Sequence, residues 1–207
     1  MKTNLQGWYV KRVSRSDITE FIESWHYSKS INGCRREYCY ALYDQDDEMK
    51  GALFYGGMAM ANQWKKYGEQ EDDVIELRRL CCVDDTPKNA ESFLIGRSLR
   101  ELKKDWGGKQ SGSHNKLGGK IVVTYADKEY GHTGIVYKAS NFKLVGETKS
   151  QRVIIYGEKR YHDKTIRTKY KGKLKPYAQR IKDALENNEA YYKDTKGKVA
   201  YTYRFQN

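Results

Sequence analysis

The sequence predicts an α/β fold in which a mixed central sheet is flanked by helices and followed by a basic C-terminal extension. Short runs rich in Val, Ile, Tyr and Cys are typical of strands, for example residues 38–43 and 122–125. Between such runs, apolar residues recur at spacings of three and four, as in Ile18, Ile22 and Trp25, which indicates one helix face. Strands that alternate with helices in this way are typical of α/β chains.

The predicted elements follow one another in a simple order. At the first helix, Asp17 and Glu20 resemble a capping box, and Pro176 is well placed to begin the last helix. The Gly-, Ser- and Lys-rich residues 107–119 are predicted to be a flexible loop. From the amino end the elements are a strand at 8–13, a helix at 17–25, a hairpin of strands at 38–43 and 50–57, a polar loop at 61–73, a strand at 74–83, a helix from Asn89 to Trp106, a strand at 122–127, a helix before 142, a hairpin of strands at 142–146 and 152–156, a helix from Pro176 and a strand at 199–205.

The positive charge of the chain is large and clustered. The formal net charge is +12, which favours polyanions because their binding releases counterions. Between Lys159 and Lys175 the sequence has many Lys and Arg and one acid, Asp163. No apolar helix face accompanies this run, so we expect nucleic acid rather than a membrane surface as the partner. The candidate contacts are Lys159, Arg160, Lys164, Arg167 and Lys169.

This change in composition also suggests how the chain is divided. Residues 1–157 are predicted to form the main domain, and residues 158–207 a basic extension that packs on the same domain. Four cysteines lack CxxC spacing and are expected to be small buried side chains in a reducing compartment. There is no signal peptide and no run long enough to cross a bilayer, so a cytoplasmic location is expected. No His, Cys and Asp set has metal-ligand spacing, although residues distant in the sequence could still assemble a metal site.

The segment 122–142 is the most informative part of the sequence. An apolar, β-branched run leads into Asp127 and then into a stretch with two glycines and a histidine. Ligands of open α/β sheets bind where strands end at their carboxyl side. Polar and aromatic groups are concentrated at this strand end, namely Tyr125, Asp127, His132, Tyr137 and Asn141. We therefore expect a ligand site here.

Both the element order and several residue groups resemble known proteins. The order is similar to that of acyltransferases of the GNAT (Gcn5-related) type. Residue groups between Trp8 and Tyr156 resemble the phage Mom family of DNA modification proteins. These groups are Trp25-His26-Tyr27-Ser28, Glu76-Leu77-Arg78-Arg79-Leu80, Asn89 with Ser92, Tyr125-Ala126-Asp127, and Gly131-His132 with Gly134-Ile135, Tyr137, Ala139 and Asn141-Phe142.

The resemblance implies an enzyme with a GNAT-like catalytic domain. Its substrate would be the N6 amine of adenine in double-stranded DNA, and carbamoylmethylation of that amine would mask phage DNA from restriction enzymes. Such a phage protein would act in the cytoplasm of its host. A homodimer is compatible with the sequence.

The resemblance also implies a small-molecule donor of the acyl-CoA kind. GNAT enzymes hold the pyrophosphate of CoA on a glycine-containing loop before the central helix, whereas residues 86–92 contain no glycine. The amino end of a helix can still hold an anion. The candidate donor-binding residues are Arg79, Lys88, Asn89 and Ser92. A simple acetyl group does not give a carbamoylmethyl product, so acetyl-CoA is one possibility and the donor stays open.

Four residues are candidate catalytic groups: His26, Tyr125, Asp127 and Tyr137. Because histidine as a residue type titrates near neutrality, His26 could act as a general base or orient the adenine edge; otherwise it ends a helix. Asp127 could accept the N6 proton or orient a histidine; otherwise it caps the next helix. For Tyr137 the alternative is core packing with a buried hydroxyl.

The remaining candidates concern the position of the adenine. N6 is paired inside a duplex, so the base has to be extruded, and Tyr27, Tyr125 or Tyr137 could stack on it. Further substrate contacts are expected from Ser28, His132 and Asn141. Arg79 lies within a strand and needs a partner, either a phosphate or a carboxylate such as that of Asp127, and a structural ion pair is the alternative.

Two other functions are compatible with the sequence. The first is a CoA-dependent N-acetyltransferase of a protein or small amine, which fits the element order but not the glycine-free loop. The second is a DNA-binding protein without enzymatic activity, which fits the charge but not the polar residues gathered at one strand end.

Overall fold

The computed structural model describes residues 5–31, 34–107 and 120–206. The loop predicted at 107–119 lies outside these residues, except for its first position. The chain forms two compact units. The first contains residues 1–126, 132–146 and 199–207, and the second contains residues 127–131 and 147–198.

Ten strands and four α-helices make up the described fold. The strands are β1 (Tyr9–Val13), β2 (Tyr38–Tyr43), β3 (Met49–Gly56), β4 (Val74–Cys82), β5 (Ile121–Asp127), β6 (Lys143–Glu147), β7 (Gln151–Tyr156), β8 (Lys159–His162), β9 (Ala190–Thr195) and β10 (Lys198–Arg204); the helices are α1 (Arg15–Trp25), α2 (Ala90–Gly107), α3 (Ile135–Ala139) and α4 (Pro176–Glu186). Short 3-10 helices occupy Gln63–Lys66, Glu71–Asp73, Lys128–Tyr130 and Asp163–Ile166.

The main sheet has seven strands in the order β1-β2-β3-β4-β5-β10-β6. Strands β1 to β4 pair antiparallel, and β4 pairs with β5 in parallel. The predicted α/β class, with a mixed sheet between helices, is therefore confirmed.

Helices α1 and α2 pack on opposite faces of this sheet because alternate strand residues point to opposite faces. Leu94, Ile95 and Leu102 of α2 pack against one face in the largest buried cluster. Ile18 and Ile22 of α1 pack against the other face. We call these the α2 face and the α1 face.

The start of α1 differs from the prediction in its capping residues. The capping box joins Ser14 and Asp17 instead of Asp17 and Glu20. The Asp17 carboxylate accepts the Ser14 backbone N–H at 2.8 Å, so a first-turn carboxylate satisfies an otherwise unpaired donor. This bond to the Ser14 backbone holds the pKa of Asp17 below its usual value.

The polar segment at 61–73 contains two 3-10 helices and covers part of the α1 face. Trp64 and Tyr67 pack with Tyr125 against Val74 and Val123. The polar composition predicted a loop, but the aromatic side chains within it tie the segment to the sheet.

The second unit is a three-stranded sheet in the order β8-β7-β9 with α4 against it. Ile154 of β7 and Ile181 and Ala184 of α4 form its small core. The larger part of this unit, residues 147–198, connects β6 to β10, which are both strands of the main sheet, and we call it the insert.

The predicted closing hairpin of residues 142–146 and 152–156 is wrong. Strand β6 belongs to the main sheet, whereas β7 pairs with β8 and β9. The predicted strand near the end of the sequence is confirmed as β10. Because β10 joins the main sheet, that part of residues 158–207 belongs to the first unit. The predicted domain boundary at residue 157 stays a prediction.

Candidate active site

An opening between β4 and β5 is the centre of the candidate site. The two strands pair from Val74–Ile121 to Leu77–Thr124. Within the described chain their pairing ends there, although β4 continues to Cys82 and β5 to Asp127. A register shift between Phe54 and Tyr55 places an extra residue of β4, Arg78, at the point where the strands separate. Beyond Leu77 and Thr124 the two strands are no longer paired, and we call this gap in the pairing the passage.

On the α1 face, Tyr27 lies between two histidines. Its ring centre is 4.2 Å from that of His26 and 5.3 Å from that of His132. Tyr27 is 39% exposed, whereas His26 is buried. These residues come from the end of α1 and from the segment before α3, so the fold joins two separate predicted groups. The cluster offers an aromatic surface on which a base could stack.

The hydrogen bonds of His26 specify its tautomer. The backbone N–H of Ser28 donates to His26 Nδ1 at 3.1 Å, and the Ser28 hydroxyl is 2.8 Å from the same nitrogen. A backbone N–H can only donate, so Nδ1 is an acceptor and the proton of the neutral ring is on Nε2. This arrangement favours an orienting role for His26 over a role as general base.

Arg79 is close to this cluster but lacks the carboxylate partner that the sequence suggested. Its Nε donates to the Ser30 carbonyl at 2.9 Å, and its Nη1 donates to the Arg78 carbonyl at 2.7 Å. Burial, followed by the charge of Arg78, lowers the pKa of Arg79. Two carbonyls thus hold the guanidinium in place. Among the described residues, no carboxylate forms an ion pair with it.

Tyr125 is held in place by two neighbours on the α1 face. Its hydroxyl is 2.9 Å from that of Tyr67, and it accepts from Gln63 Nε2 at 2.7 Å. Burial and then the hydrogen bond to Tyr67 raise its pKa. Tyr125 therefore keeps its proton at neutral pH and is suited to lining the site rather than to acting as a base.

Glu76 is a candidate that the sequence analysis quoted without giving it a role. It is half-buried on β4, and its carboxylate accepts the Ala59 backbone N–H at 3.1 Å. Its charge raises the pKa of Tyr125 and that of Arg79, so it lies near both. A glutamate inside the apolar run Val74–Leu77 was the available signal, because Glu is rarely placed in a buried strand without a reason.

On the α2 face, Tyr137 lies at the point where β4 and β5 separate. Tyr137 is hydrogen bonded to Thr124, whose hydroxyl donates to the Leu77 carbonyl at 3.2 Å. The Tyr137 ring packs on Phe142 and Tyr201, and burial raises its pKa. Tyr137 is therefore a protonated hydroxyl beside the passage.

The candidate donor residues Lys88, Asn89 and Ser92 surround the start of α2. They line a cleft of about 470 Å³, whose far wall is apolar and comes from α3. The Asn89 backbone is left-handed, its carbonyl accepts from the Phe93 N–H at 2.9 Å, and the Ser92 hydroxyl donates to it at 3.0 Å. Asp84 and Glu91 on the rim oppose the charge of Lys88. Arg79 is on the α1 face instead, so the structure does not bring it together with the other three.

Two predicted residues lie elsewhere. Asn141 lines a different cleft, together with Arg100, Lys103 and Tyr203. Asp127 belongs to the second unit, where it is buried and ion-paired with Lys198 at 2.9 Å. It also accepts the Glu129 N–H at 3.1 Å and caps the short helix Lys128–Tyr130. The structure thus gives Asp127 the capping role that the sequence offered as its alternative.

The predicted nucleic-acid contacts are all exposed side chains of the insert. Lys159 and Arg160 lie on β8, Lys164 on the 3-10 helix after it, and Arg167 and Lys169 in the following segment. Arg167 pairs with Asp163 at 2.6 Å.

Neither a metal cluster nor a membrane span is found in the part of the chain that the structure describes. Among residues 5–31, 34–107 and 120–206, no group of three or more His, Cys, Asp or Glu is arranged to hold a metal ion. Within the same ranges, no helix combines the length and apolar composition needed to cross a bilayer.

Comparison with known proteins identifies the family. The model of the Mom protein family matches residues 7–205. The chain belongs to the Mom protein family. A relative, methylcarbamoylase mom of Escherichia phage Mu, is 26% identical over 152 residues, which are 70% of this chain and 56% of the relative. This Mom family member thus matches little more than half the length of that relative.

Solved structures of N-acetyltransferases share the fold of this family member. Escherichia coli ribosomal-protein-S18-alanine N-acetyltransferase has a TM-score of 0.51 at 8% identity, covering 97% of this chain and 95% of that one. Arabidopsis thaliana NAA60 in complex with acetyl-CoA has a TM-score of 0.50 at 12% identity, covering 96% and 98%. A Vibrio cholerae spermidine N-acetyltransferase SpeG variant has a TM-score of 0.50 at 9% identity, covering 96% and 94%. The GNAT-like fold expected from the element order is confirmed.

Proposed function

We propose that this Mom family member transfers a small group from an acyl-CoA-like donor to the N6 amine of adenine in double-stranded DNA. Carbamoylmethylation, the reaction implied by the resemblance to the Mom family, is the modification we expect, and protection of phage DNA from restriction would be its result. The observation that carries the proposal is the passage between β4 and β5. An aromatic and cationic cluster lies on one side of it, and a cleft at the start of a long helix lies on the other.

The α1 face would hold the extruded adenine. Tyr27 and His132 provide a stacking surface, and His26 is fixed by Ser28 so that it can orient the base. Arg79 would attract the phosphate next to the flipped nucleotide, because its carbonyl partners leave its charge uncompensated.

The α2 face would hold the donor. The first N–H groups of α2 and Lys88 suit an anionic group, and Ile135, Val136 and Ala139 suit an apolar stem. The acidic residues Asp84 and Glu91 reduce the positive electrostatic potential that Lys88 and the start of α2 create in the cleft. This cleft is therefore less cationic than a typical phosphate-binding site. When bound, the donor would supply the activated carbon. A simple acyl thioester would leave an amide on N6, whereas the carbamoylmethyl product needs a donor whose leaving group departs from the methylene carbon that N6 attacks.

Glu76 and Tyr137 would move the protons. As N6 forms its bond to the transferred carbon and the leaving group departs from it, Glu76 takes the N6 proton and Tyr137 gives its proton to the leaving group. Glu76 is near Tyr125 and Arg79 on one side, and Tyr137 lies at the Thr124–Leu77 junction on the other. Protons exchanged with solvent then restore both groups.

Nucleoside mass spectrometry of plasmid DNA from expressing cells would test the proposal. The wild-type protein should produce a modified deoxyadenosine whose mass identifies the transferred group. Glu76→Gln, which retains an acceptor for the Ala59 N–H, should lose this product, whereas Glu101→Gln, which removes a surface pair with Lys104, should not. Unmodified DNA from cells containing folded protein, together with acetylation of a peptide or amine, would replace the proposal with an N-acetyltransferase function.

A further inference from the structure

The insert carries a tight basic hairpin just before α4. The Tyr170 N–H donates to the Lys173 carbonyl at 2.8 Å, and the Lys173 N–H donates to the Tyr170 carbonyl at 3.1 Å. Between them, Lys171 and Gly172 have φ of 50° and 79°. Two successive positive φ values define the type I′ turn that joins two antiparallel strands. This part of the basic run is therefore a defined two-residue turn, closed by the single bridge between Tyr170 and Lys173.

The side chains of this hairpin are exposed and share one sign of charge. Lys169, Lys171, Lys173 and Lys175 are all exposed, and Tyr170 is 64% exposed. The sequence has no Asp or Glu between Lys164 and Lys182. The nearest acid before the hairpin, Asp163, is already paired with Arg167. Within the described residues none of the four lysines has a carboxylate partner, and Lys171 lies over the Tyr170 ring at 5.7 Å, so their mutual repulsion is relieved mainly by water and salt.

We propose that this hairpin, residues 169–175, binds duplex DNA by entering the major groove. The inference rests on the proposed function for the choice of DNA as partner. B-DNA has a major groove about 12 Å wide, which admits an element two extended backbone segments across, and the bridged turn is two such segments across. Lysines on both strands of the hairpin then contact phosphates on the two sides of the groove, and the Tyr170 ring packs against base edges. Before its extrusion adenine presents its N6 edge in that same groove, so the hairpin contacts the duplex on the N6 side of the target base pair.

The geometry of the hairpin also distinguishes DNA from double-stranded RNA. The major groove of A-form RNA is deep and too narrow for side chains to read. A hairpin that depends on groove entry should therefore favour DNA, whereas lysines that act only as surface charge should bind both duplexes.

Binding of a short fluorescent DNA duplex, measured by anisotropy at several salt concentrations, tests the proposal. The triple variant Lys169→Ala, Lys171→Ala and Lys173→Ala should bind weakly. Its plot of log affinity against log salt should lose roughly one unit of slope per lysine. A control variant removes the same charge from three exposed lysines elsewhere in the insert: Lys149→Ala, Lys182→Ala and Lys196→Ala. It should retain most of the DNA affinity and most of the salt slope.

Two further comparisons examine the tyrosine and the groove. Tyr170→Ala should weaken binding several-fold without changing the salt slope, whereas Tyr177→Ala, at an exposed tyrosine outside the hairpin, should not. In a duplex that contains glucosylated 5-hydroxymethylcytosine, the sugars fill the major groove. The wild type should bind this duplex weakly, and its affinity should no longer differ from that of the triple lysine variant.

Several outcomes would overturn the proposal: equal losses in the two triple variants, equal binding of an RNA duplex, or unchanged binding to the glucosylated duplex. Circular dichroism of each variant shows whether it is folded, and Tyr170→Ala tests the hairpin without altering charge. The binding measurement needs no turnover. If wild-type DNA binding depends on the hairpin but no modified nucleoside is ever found, the proposed reaction fails while the hairpin proposal stands.

Discussion

The two compact units differ in how their candidate functional residues are held. In the first unit, Tyr125, Arg79 and Tyr137 are half-buried and each is fixed by hydrogen bonds to neighbouring strands or segments. In the insert, the basic residues are exposed and several have no acidic partner in the described structure. Function in the first unit should therefore depend on the position of single atoms. Function in the insert should depend on summed charge, and each residue should contribute a small, salt-dependent share.

The largest effect should come from one atom of the first unit. Tyr137→Phe retains the ring that packs on Phe142 and Tyr201 and removes only the hydroxyl. We expect the modification rate to fall roughly 10²–10⁴-fold, the usual range for loss of a positioned proton donor, with DNA affinity unchanged. Timed mass spectrometry of modified deoxyadenosine and anisotropy with the same protein would measure the two quantities. Modification at the wild-type rate would remove Tyr137 from the mechanism.

Gly131 and Gly134 should differ in how much stability an added methyl group costs. Both Gly131 and Gly134 have positive φ, but a Cβ at Gly134 would overlap the buried ring of Tyr201, whereas a Cβ at Gly131 meets nothing within 4 Å. Gly134→Ala should cost at least about 2 kcal/mol of unfolding free energy from backbone strain plus overpacking. Gly131→Ala should cost about 1 kcal/mol from the backbone alone. Urea denaturation of both proteins tests this difference, and equal costs would contradict it.

The ion pair between buried Asp127 and the partly exposed Lys198 offers a smaller, structural effect. Asp127→Asn can still cap the following short helix but loses the pair, and Lys198→Ala leaves the carboxylate with its bond to the Glu129 N–H. We expect each variant to lose about 1–2 kcal/mol of unfolding free energy. We also expect the two variants to reduce DNA modification by amounts similar to each other. If Asp127→Asn abolishes modification while Lys198→Ala does not, the catalytic role predicted from the sequence is the better account.

The smallest effect should be a pH dependence in the insert. Burial, followed by the charge of Lys164, lowers the pKa of His162 from its usual 6.5. The unfolded chain therefore takes up the proton first as pH falls, so the contribution of His162 to stability is present above about pH 6.5 and lost below it. The melting temperature of His162→Gln should change less than that of the wild type between pH 7.5 and 5. If the melting temperatures of the two proteins change equally with pH, the protonation of His162 does not contribute to stability in this way.

Local patterns were sufficient to predict most of the individual elements. The apolar run before Asp127 gave β5, spacings of three and four gave α1 and α2, and Pro176 marked the start of α4. His132 was recognised because polar groups gathered at its strand end without an obvious structural need, and His26 because its residue group resembles the Mom family. These signals depend on neighbours within a few residues, which is why they were visible.

Contacts between distant residues account for what was missed. Strands β6 and β7 are close in the sequence and were expected to pair, but β6 joins the main sheet whereas β7 is part of the insert and pairs with β8 and β9. The bonds that hold Tyr125 come from Tyr67 and Gln63, in a segment that resembled an ordinary polar loop. Ion pairing of Asp127 with Lys198 likewise depends on a residue far along the chain.

The place of β10 in the main sheet has a consequence for how the chain folds during synthesis. This strand lies between β5 and β6, yet the ribosome produces it only after the whole insert. Until then the edges of β5 and β6 that will pair with β10 are unpaired, and unpaired strand edges can pair with other chains. Closing the slot requires contacts between residues far apart in sequence, which makes it an intrinsically slow step. The insert is synthesised before β10, so the first unit is completed last.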